Sequence, residues 1–261
     1  MQETTYQDPT MYMGVHGVFT LNPWLREAHD EGDYHDVFSL AVMRAAAYGF
    51  DDCSSAGPAH SRWYHNDATE DWTQDGEVRE VAWIQVAVPD DQEGQRLPVQ
   101  PLATVLNEAL GRAGRYELTG LHTLVPMHLA PDGQIALATV REWFSLGRPD
   151  TSAQFTVSLS SRADVDLHDL GSFIVPAVSL FTDENMTLEP AGAIDHSALE
   201  QELNSRTHTF GLQPGPAFRC RTREWSMDVA VWATELFANA LRAAEVTAPV
   251  HIAVDADPPP S

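Results

Sequence analysis

Three histidines sit inside short apolar runs: His16 in Gly14-Val15-His16-Gly17-Val18, His122 in Gly120-Leu121-His122-Thr123-Leu124, and His251 in Pro249-Val250-His251-Ile252. Imidazole titrates nearest neutrality and is the commonest protein metal ligand, so histidines held in strands suit proton transfer or metal binding. In the first two runs a glycine lies two residues earlier, hence on the same face of an extended chain. A missing side chain beside an imidazole would leave room for a ligand. If the strands are neighbours, His16, His122 and a carboxylate such as Glu142 would form a two-histidine, one-carboxylate site. The plainer reading is three hydrogen-bonded histidines in or at the edge of the core. No His-x-x-x-His or His-x-His spacing argues for a metal. The expected catalytic set is therefore His16, His122, His251 and Glu142, with metal and cofactor left unassigned.

Two further groups suit substrate binding. Trp63, Tyr64, His65 and Trp72 fall in a stretch, 51–76, rich in Ser, Asp, His and Gly. Aromatics in so long a loop either close over a substrate or pin the loop to the body. Arg219, Arg221 and Arg223 alternate along a predicted strand and so project from one face, where guanidinium forks hold carboxylate or phosphate in bidentate fashion. Ordinary pairing with nearby acids is the competing account. The run His29 to Asp36 is dense in potential ligands but lacks the carboxylate spacing of a calcium loop, and acids before a helix stabilise its positive end unaided.

Charge narrows the classes of function. The chain has 38 acidic residues against 15 basic ones, and a formal net charge of −23. Every basic residue is arginine, a bias that fits a GC-rich genome. Such a charge opposes nucleic acid and anionic membrane as partners. The lack of lysine excludes Schiff-base chemistry, the usual phosphate-binding loop and kinase-type lysines. There is no G-x-S-x-G, G-x-G-x-x-G, H-E-x-x-H or C-x-x-C pattern, and nothing matches a family residue by residue. Two distant cysteines, no apolar run of membrane-spanning length and no signal-like start point to the cytoplasm.

Periodicity predicts the elements that must position these groups. Strands are expected over 11–21, 78–88, 116–125, 134–144, 153–159, 217–224 and 250–254. Helices are expected over 34–48 (capped by Asp33 and ended by Gly49), from Pro101 to Gly114, briefly after Ser197, and over 227–245. Pro176 is expected to break any helix in 167–181. A faint echo links 78–124 with 222–252: Ala103-Thr104-Val105-Leu106 recurs as Ala233-Thr234-Glu235-Leu236. The expected fold is α+β, an α/β sandwich of ferredoxin-like kind with a duplicated β-α-β unit, in one compact unit or two similar lobes, 11–160 and 161–256. The functional expectation is a small-molecule enzyme or ligand-binding protein of bacterial specialised metabolism. The alternatives are an acidic antagonist of a basic partner and a self-associating structural or phage subunit, the latter an oligomer.

Overall fold

The computed structural model describes residues 10–31, 35–50, 63–88, 97–130, 142–162, 167, 170–182, 186–191 and 208–257. The strands are β1 (Thr10–Leu21), β2 (Tyr64–Glu70), β3 (Arg79–Ala87), β4 (Gly114–Val125), β5 (Ala153–Ser161), β6 (Thr187–Pro190), β7 (Gln213–Thr222) and β8 (Val250–Ala256). The helices are α1 (Pro23–Glu31), α2 (Val37–Tyr48), α3 (Val99–Ala113), α4 (Gly171–Ser179) and α5 (Met227–Ala243), with a 3-10 turn at Met127–Leu129. The protein is α+β. All eight strands join one antiparallel sheet in the order β2-β3-β1-β4-β8-β5-β7-β6.

The order repeats. The first four strands lie as 2-3-1-4 and the last four as 6-7-5-8, so the strands that end each run, β4 and β8, meet antiparallel at the centre. Each run reads β-α-β-β-α-β, with α1 and α2 together filling the first helical slot. The echoed segments of α3 and α5 hold the same slot in their runs. The starts of the two echoed segments do not correspond, since Arg79 and Glu80 begin β3 whereas Arg223 and Glu224 follow the end of β7.

The helices cover one face of the sheet. Leu102, Val105, Leu106, Ala109 and Ala113 of α3 are buried, as their spacing requires. On α5, Val229, Trp232, Leu236, Phe237 and Leu241 are buried against the same core. Into that core β1 sends Met11, Met13 and Val15, β4 sends Leu121 and Val125, β8 sends Val250, Ile252 and Val254, and β5 sends Phe155, Val157 and Leu159. The alternate residues of those strands must face the other way.

Several expectations need correction. Asp36, not Asp33, caps α2: its carboxylate accepts from the Ser39 amide at 2.7 Å, and Gly49 closes the helix at φ 73°. The aromatic stretch is not all loop, because β2 pairs with β3 within it. Pro176 does not break the helix; it lies inside α4. The carbonyl its ring leaves without an amide donor is that of Ser172, an exposed residue. Residues 142–145 form a helical turn rather than the end of a strand, and the rest of 134–144, like the helix expected after Ser197, lies outside the described residues. Helix α1 was not expected.

Candidate functional site

Alternation puts Tyr12, Gly14 and His16 of β1, Gly120, His122 and Leu124 of β4, and His251, Ala253 and Asp255 of β8 on the face opposite the helices. β1, β4 and β8 are successive neighbours, so the three histidines converge. Their register explains how. His16 lies opposite Gly120, and His122 lies opposite Gly14. Each imidazole therefore faces its neighbour's bare backbone, and the two rings lean together with centroids 3.9 Å apart and planes at 32°. The His251 ring meets His122 edge-on at 5.4 Å. All three histidines are 3–6% exposed.

Each of the paired rings has its own carboxylate. His122 Nε2 is 2.8 Å from Asp255 Oδ1, and His16 Nε2 is 3.4 Å from Glu80 Oε1. Glu80 is the register partner of His16 on β3, and it also accepts a hydrogen bond from the Tyr12 hydroxyl. A carboxylate on one ring nitrogen fixes the tautomer and orientation of the imidazole. Partial burial acts to raise the Asp255 carboxyl, but the charge and hydrogen bond of His122, with His16 and His251 behind it, outweigh that and hold it below the ordinary carboxylate range.

The glycines do not leave the space for a ligand that their sequence positions suggest. A Cβ on Gly120 would meet Asp255 Oδ1 at 2.3 Å, and one on Gly14 would meet Glu80 Oε1 at 2.5 Å and the Tyr12 hydroxyl at 2.6 Å. The room belongs to the carboxylates that orient the rings. The backbone is irregular at the same point: the pairing of β1 with β3 shifts between Val15 and His16, and its pairing with β4 shifts between His16 and Gly17. Bulges on both sides of one residue re-aim its side chain and sharpen the local twist.

A second aromatic group borders Glu80. His208 stacks on Tyr12 with centroids 4.5 Å apart and meets Trp83 edge-on at 4.3 Å. Burial lowers the His208 pKa, against the pull of the Glu80 and Asp67 charges.

The other expected site residues lie elsewhere. Trp63 is fully buried against Phe50, and its indole donates to His65 Nε2 at 3.1 Å; His65 in turn packs edge-on against Phe38 of α2. Trp72 stacks on Phe19 at 5.2 Å. Trp63 and Trp72 belong to the core beneath the helices, so they pin their stretch to the body and do not cover the histidines. Tyr64 is half-exposed on the edge strand β2. Glu142 is exposed on its helical turn; the carboxylates at the rings are Asp255 and Glu80 instead. Arg219 and Arg221 project from the helix-free face of β7, while Arg223 lies past its end and donates to the Ser145 carbonyl at 2.8 Å. Among the described residues, no group of three or more His, Cys, Asp or Glu is arranged to hold a metal ion, and no helix is long and apolar enough to cross a membrane.

Sequence reasoning missed Tyr12, Glu80, Trp83, His208 and Asp255. For two of them the signal was present, since Tyr12 is four residues from His16 and Asp255 four from His251, each on its histidine's face.

Neither a protein-family profile nor a curated protein matches the chain. A solved structure described as a Cas6 product complex aligns over 87% of this chain and 91% of its own, at 12% identity and a TM-score of 0.19. A superposition that poor does not establish a shared fold.

Proposed function

We propose that this chain is a small-molecule enzyme or ligand-binding protein whose chemistry is proton transfer at His16 and His122. One observation carries the proposal: two imidazoles from adjacent strands in contact, each against its own carboxylate. An imidazole oriented by a carboxylate is the arrangement that general acid–base catalysis uses. Two in contact cannot both hold a proton without mutual repulsion, so one would serve as base while the other serves as acid. Asp255, with its side chain 46% exposed, leaves an approach from solvent beside otherwise buried rings.

The repeated strand order supports a related proposal on organisation: two ferredoxin-like lobes, with β5 opening the second. The 161 boundary expected from sequence would leave β5 in the wrong lobe. The scarcity of cysteine supports a cytoplasmic protein, and the acidity one that has neither nucleic acid nor anionic membrane as partner.

A thermal-shift screen of small organic acids, amines and phosphoesters tests the functional proposal, run on wild type and on His16→Gln and His122→Gln. The expected result is a set of ligands that stabilise wild type and neither variant. Ligands that stabilise all three equally would overturn it. Absence of ligands, together with salt-sensitive capture of a basic protein, would favour the acidic-antagonist reading.

A further inference from the structure

Arg219 and Arg221 lie two residues apart on β7 and share its helix-free face. Arg219 lies 3.8 Å from Glu189, and both side chains are more than half exposed. Arg221 is exposed and makes no side-chain hydrogen bond or ion pair with the described residues. Among the described residues Arg44, Arg79 and Arg148 each have a carboxylate partner, whereas Arg112 and Arg115, like Arg221, have none.

The two arginines border a cavity of about 190 Å³ over the β5-β7-β6 edge, lined also by Gln154, Thr187, Leu188 and Glu189. Gln154 and Thr187 are the register partners of Arg221 on its two neighbouring strands, so uncharged donors flank that guanidinium on both sides. Two guanidinium forks with an amide and a hydroxyl form a donor set for an oxyanion, which accepts in bidentate fashion. Since the net charge of −23 repels free anions, local donors rather than the general field must supply any anion affinity here.

Register ties this cavity to the histidines. Glu80 pairs with His16, His16 with Gly120, Gly120 with Asp255, Asp255 with Thr156, Thr156 with Arg219. One row across the same face thus runs from the acid–base pair to the arginines. At about 4.8 Å per strand, Arg219 stands roughly 19 Å from His16 and about 10 Å from Asp255. The adjoining row between them carries Ala253 and Ser158, small side chains that leave the intervening surface low.

We propose that Arg219 and Arg221 bind the oxyanion end, phosphate or carboxylate, of an elongated small molecule whose other end lies at His16 and His122. This rests on the function proposed above for the histidines and adds the chemical class of the ligand. Arg223, committed to the Ser145 carbonyl, takes no part.

Calorimetric titration with inorganic pyrophosphate and, separately, citrate tests the arginine site directly, using wild type, Arg221→Ala, Arg219→Ala, Glu189→Gln and His122→Gln. At least one anion should bind wild type; which one binds decides between phosphate and carboxylate. Arg221→Ala should weaken it roughly tenfold, the loss expected for a bidentate contact. Glu189→Gln should tighten it about threefold, and His122→Gln should leave it unchanged. No binding of either anion, or equal binding by wild type and Arg221→Ala, overturns the arginine site. Anion binding that needs Arg221, alongside small-molecule ligands indifferent to His122→Gln, would keep the site and remove the histidine reading.

Discussion

The two faces of this sheet are made from the same strands and share the same backbone, yet they differ in what a substitution can reach. The helix side is one continuous apolar core in which Trp63, Trp232, Phe155, Phe218 and Phe237 are all less than 2% exposed. There, each side chain is held by many neighbours and packing alone specifies it. The opposite face has no described helix over its centre, and its specificity comes from pairs: a ring with a ring, a ring with a carboxylate, a carboxylate with a bare glycine. The difference teaches that the helix side sets stability while the other face sets the direction in which two imidazoles point.

Breaking the apolar side should produce the largest effect. Leu106→Ala should lower unfolding free energy by about 2–5 kcal/mol in urea denaturation, since Leu106 is fully buried, while leaving the His122–Asp255 contact in place. Gly17→Ala comes next, because its Cβ would lie 2.1 Å from the Glu117 carbonyl oxygen, which is backbone and cannot step aside cheaply. We expect about 1–3 kcal/mol of destabilisation by the same measurement, as for other overpacked sites.

Gly120→Ala sharpens the contrast from the other side. Its new methyl meets the end of a mobile carboxylate, so the expected stability loss is about 1 kcal/mol or less, but Asp255 must leave His122. A crystal structure of the variant should show that contact lengthened beyond hydrogen-bonding reach. An unchanged 2.8 Å contact would mean that the glycine is not there to seat the carboxylate.

The smallest effect expected is on the pH dependence of stability. Asp255 is held below its ordinary value when folded, so its contribution is complete above about pH 4 and is lost as pH falls through the lower folded value. His208 is also lowered, which places its effect in another window: full stability above about pH 6.5, declining below it as the unfolded chain takes up a proton that the fold resists. Urea midpoints measured from pH 7 to pH 3 should show both slopes. His208→Phe should reduce only the upper one and Asp255→Asn only the lower, part of which remains because Asp36, Asp75 and Glu108 are also held low by their hydrogen-bond partners.

Much of the helix side was legible in the sequence because periodicity reports burial directly. The stripe on α3, the alternation in β3 and the long α5 all follow from it. The convergence of His16 with His122 was only half legible. Glycine two residues before each histidine marked the right strands, but the meaning of the spacing lay in the register of β1 against β4, and pairing between distant segments is not written in either one. The choice of carboxylate failed for the same reason. Glu142 looked available, whereas Glu80 and Asp255 reach the rings only because β3 and β8 flank β1 and β4. For Trp63 and Trp72 composition left two readings open, a cover or an anchor, and only tertiary packing, which draws both indoles into the core, decides for the anchor.

The measurement that bears most directly on the acid–base pair is the tautomer of His122, read from long-range proton–nitrogen correlations in nuclear magnetic resonance. With Asp255 as acceptor, neutral His122 should carry its proton on Nε2, and Asp255→Ala should release that preference. A proton on Nδ1 in the wild type, or a tautomer indifferent to Asp255→Ala, would show that the carboxylate does not orient the ring.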